Sequence, residues 1–239
     1  MPAGATYRGD DSHTSHHVDP ALPYAPRPLS RGKRDRREVF VYYSPRNQRV
    51  VTVADAVTFA AALQLEFDST IALYIERPRR LQVSEKFVID VSFLAITRSG
   101  EQRFILVLPN ERKTRSTGSA AGLPDALELD EIAKRNGIYL SYVTEDHLLS
   151  QLPALGEAFD LLPLVWSSER LANRASLAQQ ILNILGRVER FRLSDLIGAS
   201  SATTHEVRAT VAWLIHSGKL RLIDYAQGAP DAILERCHA

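Results

Sequence analysis

Leu65–Pro109 reads LEFDSTIALYIERPRRLQVSEKFVIDVSFLAITRSGEQRFILVLP, and its pattern decides the fold. Thr70 to Ile75 is a β-rich run, Pro78 interrupts the pattern, and Leu81 to Val83 is short and β-like. Phe87 to Thr97 reads as one long strand through Val88, Val91, Phe93 and Ile96, with a single acid, Asp90, inside it. Arg98-Ser99-Gly100-Glu101 is a turn signal, and the chain returns as Phe104 to Leu108. Pro109 ends that strand, because proline has no N–H to give a ladder.

Working outward, Glu38 to Tyr43 and Arg49 to Val53 are β runs joined by Ser44-Pro45-Arg46-Asn47, which predicts a hairpin. Asp55 to Phe67 carries Val57, Ala60, Ala61, Leu63 and Leu65 with few breakers and predicts a mostly buried helix. Beyond Pro109, Asn110 to Leu123 is polar and reads as a loop. Leu127 to Lys134 is helical and stops at Asn136-Gly137. Ile138 to Val143 is a strand, and Thr144 with Glu145 and Asp146 opens another helix. Residues 38–150 therefore run ββαββββαβα, an α/β domain built around one mixed sheet. Leu152 to Ser168, within a connector spanning 151–174, is apolar, punctuated by proline and helical in part, with Trp166 placed to pack between two domains.

Residues 175–239 follow a different pattern. Ser176-x-x-Gln179 and Thr203-x-x-Glu206 are capping-box signatures, each ahead of an apolar stripe at helical spacing. Between them Phe191-Arg192-Leu193 is short and extended, and Ser194 to Gly198 is a short helix. Leu220 to Tyr225 and Ala232 to Arg236 form a terminal hairpin around Gln227-Gly228-Ala229-Pro230-Asp231. Three helices, a short strand and a hairpin make a small winged-helix domain, whose third helix can enter a DNA major groove. Its outward residues are expected to be His205, Arg208, Ala212 and His216. The domain holds seven Lys/Arg against six Asp/Glu, so it fits protein docking as well as DNA contact.

Residues 1–37 hold Pro20, Pro23, Pro26 and Pro28 without sustained periodicity and read as a flexible arm. Arg27, Arg31, Lys33, Arg34, Arg36 and Arg37 crowd its end against one acid, Asp35. A solvated tail is the plain reading, and a salt-sensitive tether to DNA phosphates is the functional one. His13, His16 and His17 lie in the same arm, where a defined metal site is not expected. The net charge of +1 leaves no global basic field, so any nucleic-acid contact is local. The lone Cys237 excludes a disulfide scaffold or a cysteine-rich zinc site and fits a reducing, cytoplasmic setting. No apolar run is long enough for a membrane span, and the polar N-terminus lacks a secretory core.

With these elements in order, the chain resembles the TnsA family, the endonuclease subunits of heteromeric transposases. The resemblance rests on Leu65-Glu66-Phe67-Asp68-Ser69-Thr70-Ile71, Glu76-Arg77-Pro78, Ile89-Asp90-Val91-Ser92-Phe93, the Ser99-Gly100 turn and Arg103 to Pro109. It continues through Ala133-Lys134-Arg135-Asn136-Gly137-Ile138 and Val143-Thr144-Glu145 and covers roughly residues 38–150. It implies a restriction-endonuclease-like fold of the PD-(D/E)xK kind followed by a winged helix. Such enzymes hold Mg²⁺ on oxygen ligands to activate water, beside a lysine. Asp90 matches the central metal-binding aspartate. The acid-or-amide position and the lysine two places on are Leu106 and Leu108, and the place of the family's helical glutamate falls near Thr58.

The resemblance thus implies a TnsA-like protein without strand cleavage, its buried leucine pair adding about 3–6 kcal/mol of core burial instead. It would act by binding DNA, a transposase subunit or a regulator ATPase, with no cofactor. A displaced E-x-K, Glu111-Arg112-Lys113, lies past Pro109. With Asp90, and Asp55 standing in for the helical glutamate, Glu111 and Lys113 define the alternative, an active Mg²⁺-dependent endonuclease cutting transposon ends. Their plain reading is an exposed polar loop. A winged-helix transcription regulator is the third expectation.

Overall fold

Apolar anchors tie the chain down before the first strand. The computed structural model describes residues 24–85, 87–110, 126–186, 190–225 and 232–237. Tyr24 packs edge-on against Phe104 at 5.6 Å, Leu29 is buried, and the Arg27 carbonyl accepts from Arg77 Nε at 2.6 Å. Helix α1 (Arg31–Arg36) follows, so this part of the expected arm is ordered. Strands β1 (Val39–Ser44) and β2 (Arg49–Ala54) form the expected antiparallel ribbon, with Tyr42 opposite Val51. Its inner face, including Phe40, Tyr42, Val51 and Val53, packs on α2 (Ala56–Phe67). Asp55 caps α2 by accepting the Thr58 N–H at 2.8 Å, and it also binds Arg37 at 2.6 Å.

The next elements are β3 (Ile71–Glu76), β4 (Arg80–Ser84), β5 (Phe87–Asp90), β6 (Phe93–Thr97), β7 (Gln102–Leu108), α3 (Ala126–Arg135) and β8 (Leu140–Thr144). One mixed sheet has the order β3-β6-β7-β8, antiparallel except for the parallel pair β7 and β8. A parallel pair needs a crossover, and the chain between these strands contains α3. The single strand expected over 87–97 is two. Val91 N–H turns to the Arg79 carbonyl, while the Ser92 N–H bonds Ile105 O and its hydroxyl accepts the Val107 N–H. The break leaves β5 paired only with β4 and β6 inserted between β3 and β7.

After α4 (Glu145–Ser150), capped by Thr144 as expected, comes α5 (Leu152–Ser168). The whole apolar connector is this one helix. Pro153 sits in its first turn, where no N–H is missed, and Pro163 is accommodated inside it. Leu155, Ala158 and Leu162 belong to the core on the inner side of the ribbon, whereas Leu161 and Val165 belong to the core of the C-terminal helices. A residue-by-residue split of this kind makes α5 a wall shared by both halves. Trp166 does not fill the boundary. It stands 41% exposed with Tyr43 at 6.2 Å and the Arg170 guanidinium over its ring.

The C-terminal part comprises α6 (Arg174–Leu185), β9 (Arg190–Arg192), α7 (Leu193–Ala199), α8 (Thr204–His216), β10 (Leu220–Leu222) and β11 (Ile233–Arg236). Its sheet has the order β10-β11-β9, all antiparallel. The Thr203–Glu206 capping box forms in full. Ser176 caps nothing, because α6 starts two residues earlier and the Ser176 hydroxyl donates to the Asn173 carbonyl. Gly218 ends α8 with φ 73°, and a Cβ there would lie 2.4 Å from Ser69 Cβ. The turn after α8 is therefore pressed against the loop after α2. Among the described residues, no helix is long and apolar enough to cross a membrane.

Candidate functional site

The position expected from the sequence to be a nuclease centre is Asp90, at the end of β5. Its carboxylate accepts from Arg80 Nε at 3.0 Å. Leu106 is 1% exposed and joins Ile75, Leu81, Leu94 and Leu129 in the core under α3. Leu108 is only half-buried at the edge of that core, less than the sequence implied. The buried acid in this region is Glu76, gripped by both terminal nitrogens of Arg49 at 2.9 and 2.5 Å, with Arg77 at 3.8 Å. Asp55 is engaged as a helix cap and by Arg37, so it does not stand in for a helical glutamate.

Among the described residues no three His, Cys, Asp or Glu side chains stand together as a metal site. Mg²⁺ wants several oxygen ligands, and a carboxylate already paired with a guanidinium does not fit it. Glu111 and Lys113 lie outside the described residues.

Helix α8 was expected to present four residues outward. His205 and Arg208, in its first turns, are exposed. Ala212 is fully buried and His216 is 9% exposed, which corrects the expectation for both. α5 and α6 are the main helices packed on α8, and Glu66 and Phe67 of α2 reach His216 at its C-terminal end. Most of α8 is thus interior helix, and no groove-reading face extends past Arg208. Of the basic cluster, Arg31, Lys33, Arg34 and Arg36 fall in α1, and Arg37 follows it. Arg31 lies 3.8 Å from Asp35, Arg37 binds Asp55, and the Arg34 and Arg36 side chains are exposed.

A polar network at the junction of the two halves has no counterpart in the sequence reading. Glu66, at the last turn of α2, has no solvent exposure. Its carboxylate accepts from Ser44 Oγ at 2.5 Å, Tyr74 OH at 2.7 Å, the Arg46 N–H at 2.9 Å and His216 Nε2 at 2.8 Å. A carboxylate can only accept, so Nε2 carries the hydrogen. Burial works to raise the Glu66 carboxyl, but hydrogen bonds from His216, Ser44 and Tyr74 outweigh it and hold the group below its ordinary value. Arg46 reaches from the β1–β2 turn to the carbonyls of Glu66, Ile71 and His216. Tyr42 and Tyr74 share a 2.7 Å hydrogen bond, and burial drives both phenols above their usual range. Six side chains from the ribbon, α2, β3 and α8 are thereby locked together. Glu66, Ser44 and Tyr74 are fully buried while Tyr42 and Arg46 are partly exposed, and the network holds the halves in register.

Sequence spacing could not reveal this network, since His216 lies 150 residues from Glu66. Glu66 was visible only as one of an acidic pair in the resemblance. The one local hint was a carboxylate at the end of an otherwise apolar helix.

Glu157 on α5 behaves in the opposite sense, burial pushing its carboxyl up to about 7. Between the ordinary value of 4.5 and about 7 the folded chain holds a proton that the unfolded chain releases. Stability from this group is therefore lost as pH rises through that window. Glu157→Gln is expected to gain about 1 kcal/mol at pH 8, a value discounted for partial exposure, and nothing at pH 4. Urea unfolding at the two pH values measures it.

No family model matches the chain, and no curated protein matches it.

Proposed function

We propose that the chain is a TnsA-like subunit of a DNA transposition system that has lost strand cleavage and acts by binding its partners. What supports this is the run α2, β3, β6, β7, α3, β8, the element series of a restriction-endonuclease-like domain, with a buried Leu106 where the chemistry needs an acid. The C-terminal helices and three-stranded sheet take the part of a winged helix. Because α8 is covered beyond Arg208, this unit is suited to docking on a transposase subunit or regulator ATPase rather than reading a major groove. Arg34, Arg36 and their neighbours in α1 supply a local phosphate tether, and His205 and Arg208 a second small basic patch. The setting is cytoplasmic.

The test is incubation with supercoiled plasmid and Mg²⁺ or Mn²⁺ beside an Asp90→Ala variant. No nicking is expected from either. Cutting that Asp90→Ala abolishes would restore the active-endonuclease reading. Co-purification from the native cell is expected to bring out transposase components.

A further inference from the structure

The three-stranded sheet β10-β11-β9 has one apolar and one charged face. Leu220, Leu222, Leu234 and Phe191 belong to the core of the C-terminal helices. The residues that alternate with them point outward, and side chains opposite one another across a ladder share a face. Arg221 stands opposite Glu235, and Glu235 opposite Arg190. Arg192 stands opposite Ile233. Lys219 extends β10 by one more outward position, its carbonyl accepting the Cys237 N–H. All four cations are exposed. They form two rails, Lys219 and Arg221 along one edge, Arg190 and Arg192 along the other, with β11 between them.

Glu235 is the acid of this face among the described residues, and its partners cover it. Arg190 Nε donates to one carboxylate oxygen at 3.3 Å, and Arg221 grips the other with Nε and a terminal nitrogen. The Glu235 side chain is only 17% exposed, whereas those of Arg190 and Arg221 are 63% and 68% exposed. What meets solvent is therefore guanidinium, held in place by a carboxylate beneath it. Lys219 is placed as well. Its ammonium lies 5.3 Å from the Trp213 ring centre, and Arg174 at 4.9 Å from the same ring continues the positive surface to the start of α6. Four of the seven Lys/Arg in residues 175–239 meet here, so a nearly neutral domain carries a concentrated positive field.

We propose that this face binds the phosphate backbone of duplex DNA without reading its sequence. The rails lie two strand spacings apart, about 10 Å, and successive cations along one rail are about 6.6 Å apart. The first distance falls within the roughly 6–12 Å covered by the two groove widths of B-DNA, so the rails can meet phosphates of both strands. Guanidinium suits a phosphate because its fork donates two hydrogen bonds at once. A single strand is gripped by aromatic rings on which its bases stack, and the outward side of β11 offers Ile233 instead. This site adds to the function proposed above and does not rest on it, since backbone binding and plasmid nicking are read separately.

Fluorescence anisotropy of a labelled duplex of arbitrary sequence, titrated with the full chain at several salt concentrations, tests it. Each phosphate contact steepens the fall of log affinity with log salt by about 0.9, which makes it worth about fivefold at 0.15 M. Arg192→Gln with Lys219→Gln, one cation from each rail, is expected to weaken binding about 25-fold at that salt and to flatten the slope by about 2. Thermal melting shows whether the pair is folded, and each single variant, expected to lose about fivefold, carries the same test. Arg192→Lys with Lys219→Arg keeps the charges and is expected to recover most of the loss. Lys134→Gln with Arg135→Gln, in the last turn of α3, removes equal charge elsewhere and is expected to leave affinity and slope unchanged. The proposal is overturned by a duplex left unbound at about 50 mM salt or by sheet variants that bind like the wild type. It is equally overturned by a single strand or a polyglutamate peptide that binds as tightly as the duplex.

Discussion

Replacing Glu66 with alanine is expected to lower the unfolding free energy by about 3–5 kcal/mol, as for breaking a buried hydrogen-bond network around a carboxylate. The loss strands four donors at once: Ser44 Oγ, Tyr74 OH, the Arg46 N–H and His216 Nε2. Ser44 and Tyr74 are fully buried, and a buried donor without a partner costs about 1–3 kcal/mol. Urea unfolding followed through Trp166 and Trp213 together with far-ultraviolet circular dichroism measures the effect. A cycle of Glu66→Gln with His216→Ala is expected to show coupling of about 1 kcal/mol or more, since the two side chains touch. A loss under about 1 kcal/mol for Glu66→Ala would mean that α5 alone holds the halves together.

The same substitution carries a pH signature. The folded Glu66 carboxyl lies below its ordinary value of 4.5. A depressed acid contributes stability that is fully present above the unfolded value and disappears as pH falls through the folded one. The gap between wild type and Glu66→Gln should thus be constant from pH 6 to 8 and shrink only below about 4.5. Glu157→Gln changes stability in the opposite direction and at higher pH. The two variants separate a carboxylate that burial penalises from one that its donors rescue.

Much of the architecture is written in local pattern. The ribbon, α2, the strand order from Ile71 to Leu108, the Thr144 cap and the Thr203–Glu206 box follow from periodicity and capping chemistry, which act over a few residues. The misses have long-range causes. Val91-Ser92 reads as strand, but Ser92 spends its N–H and hydroxyl on β7, and that splits the ladder. Pro153 and Pro163 suggested an interrupted connector. Burial on two cores instead sustains α5 through them, as tertiary packing overrides propensity. Ala212 and His216 lie on the face of α8 that would be outward in an isolated three-helix unit. Only knowledge of where α2 and α5 dock could have turned them inward. The Glu66 network joins residues too far apart in sequence for any spacing rule.

Placing an acid and a lysine in β7, as Leu106→Glu with Leu108→Lys, is expected to unfold the domain rather than produce the metal site that the proposed function takes to be lost. Leu106 is 1% exposed among Ile75, Leu81 and Leu129. A carboxyl placed there loses a leucine's burial and gains no donor, a combination that costs about 4 kcal/mol or more. Leu108 is different. It is half-buried at the core's edge, so lysine can keep its stem against the apolar surface and its ammonium in water, for about 1 kcal/mol. Leu106→Met, which conserves volume, should cost less than about 1.5 kcal/mol and serves as the control. Denaturant midpoints rank the three single variants. Plasmid cleavage with Mg²⁺ is expected from none of them, because Arg80 still occupies Asp90. A double variant that folds and nicks would show that metal geometry survives in this sheet.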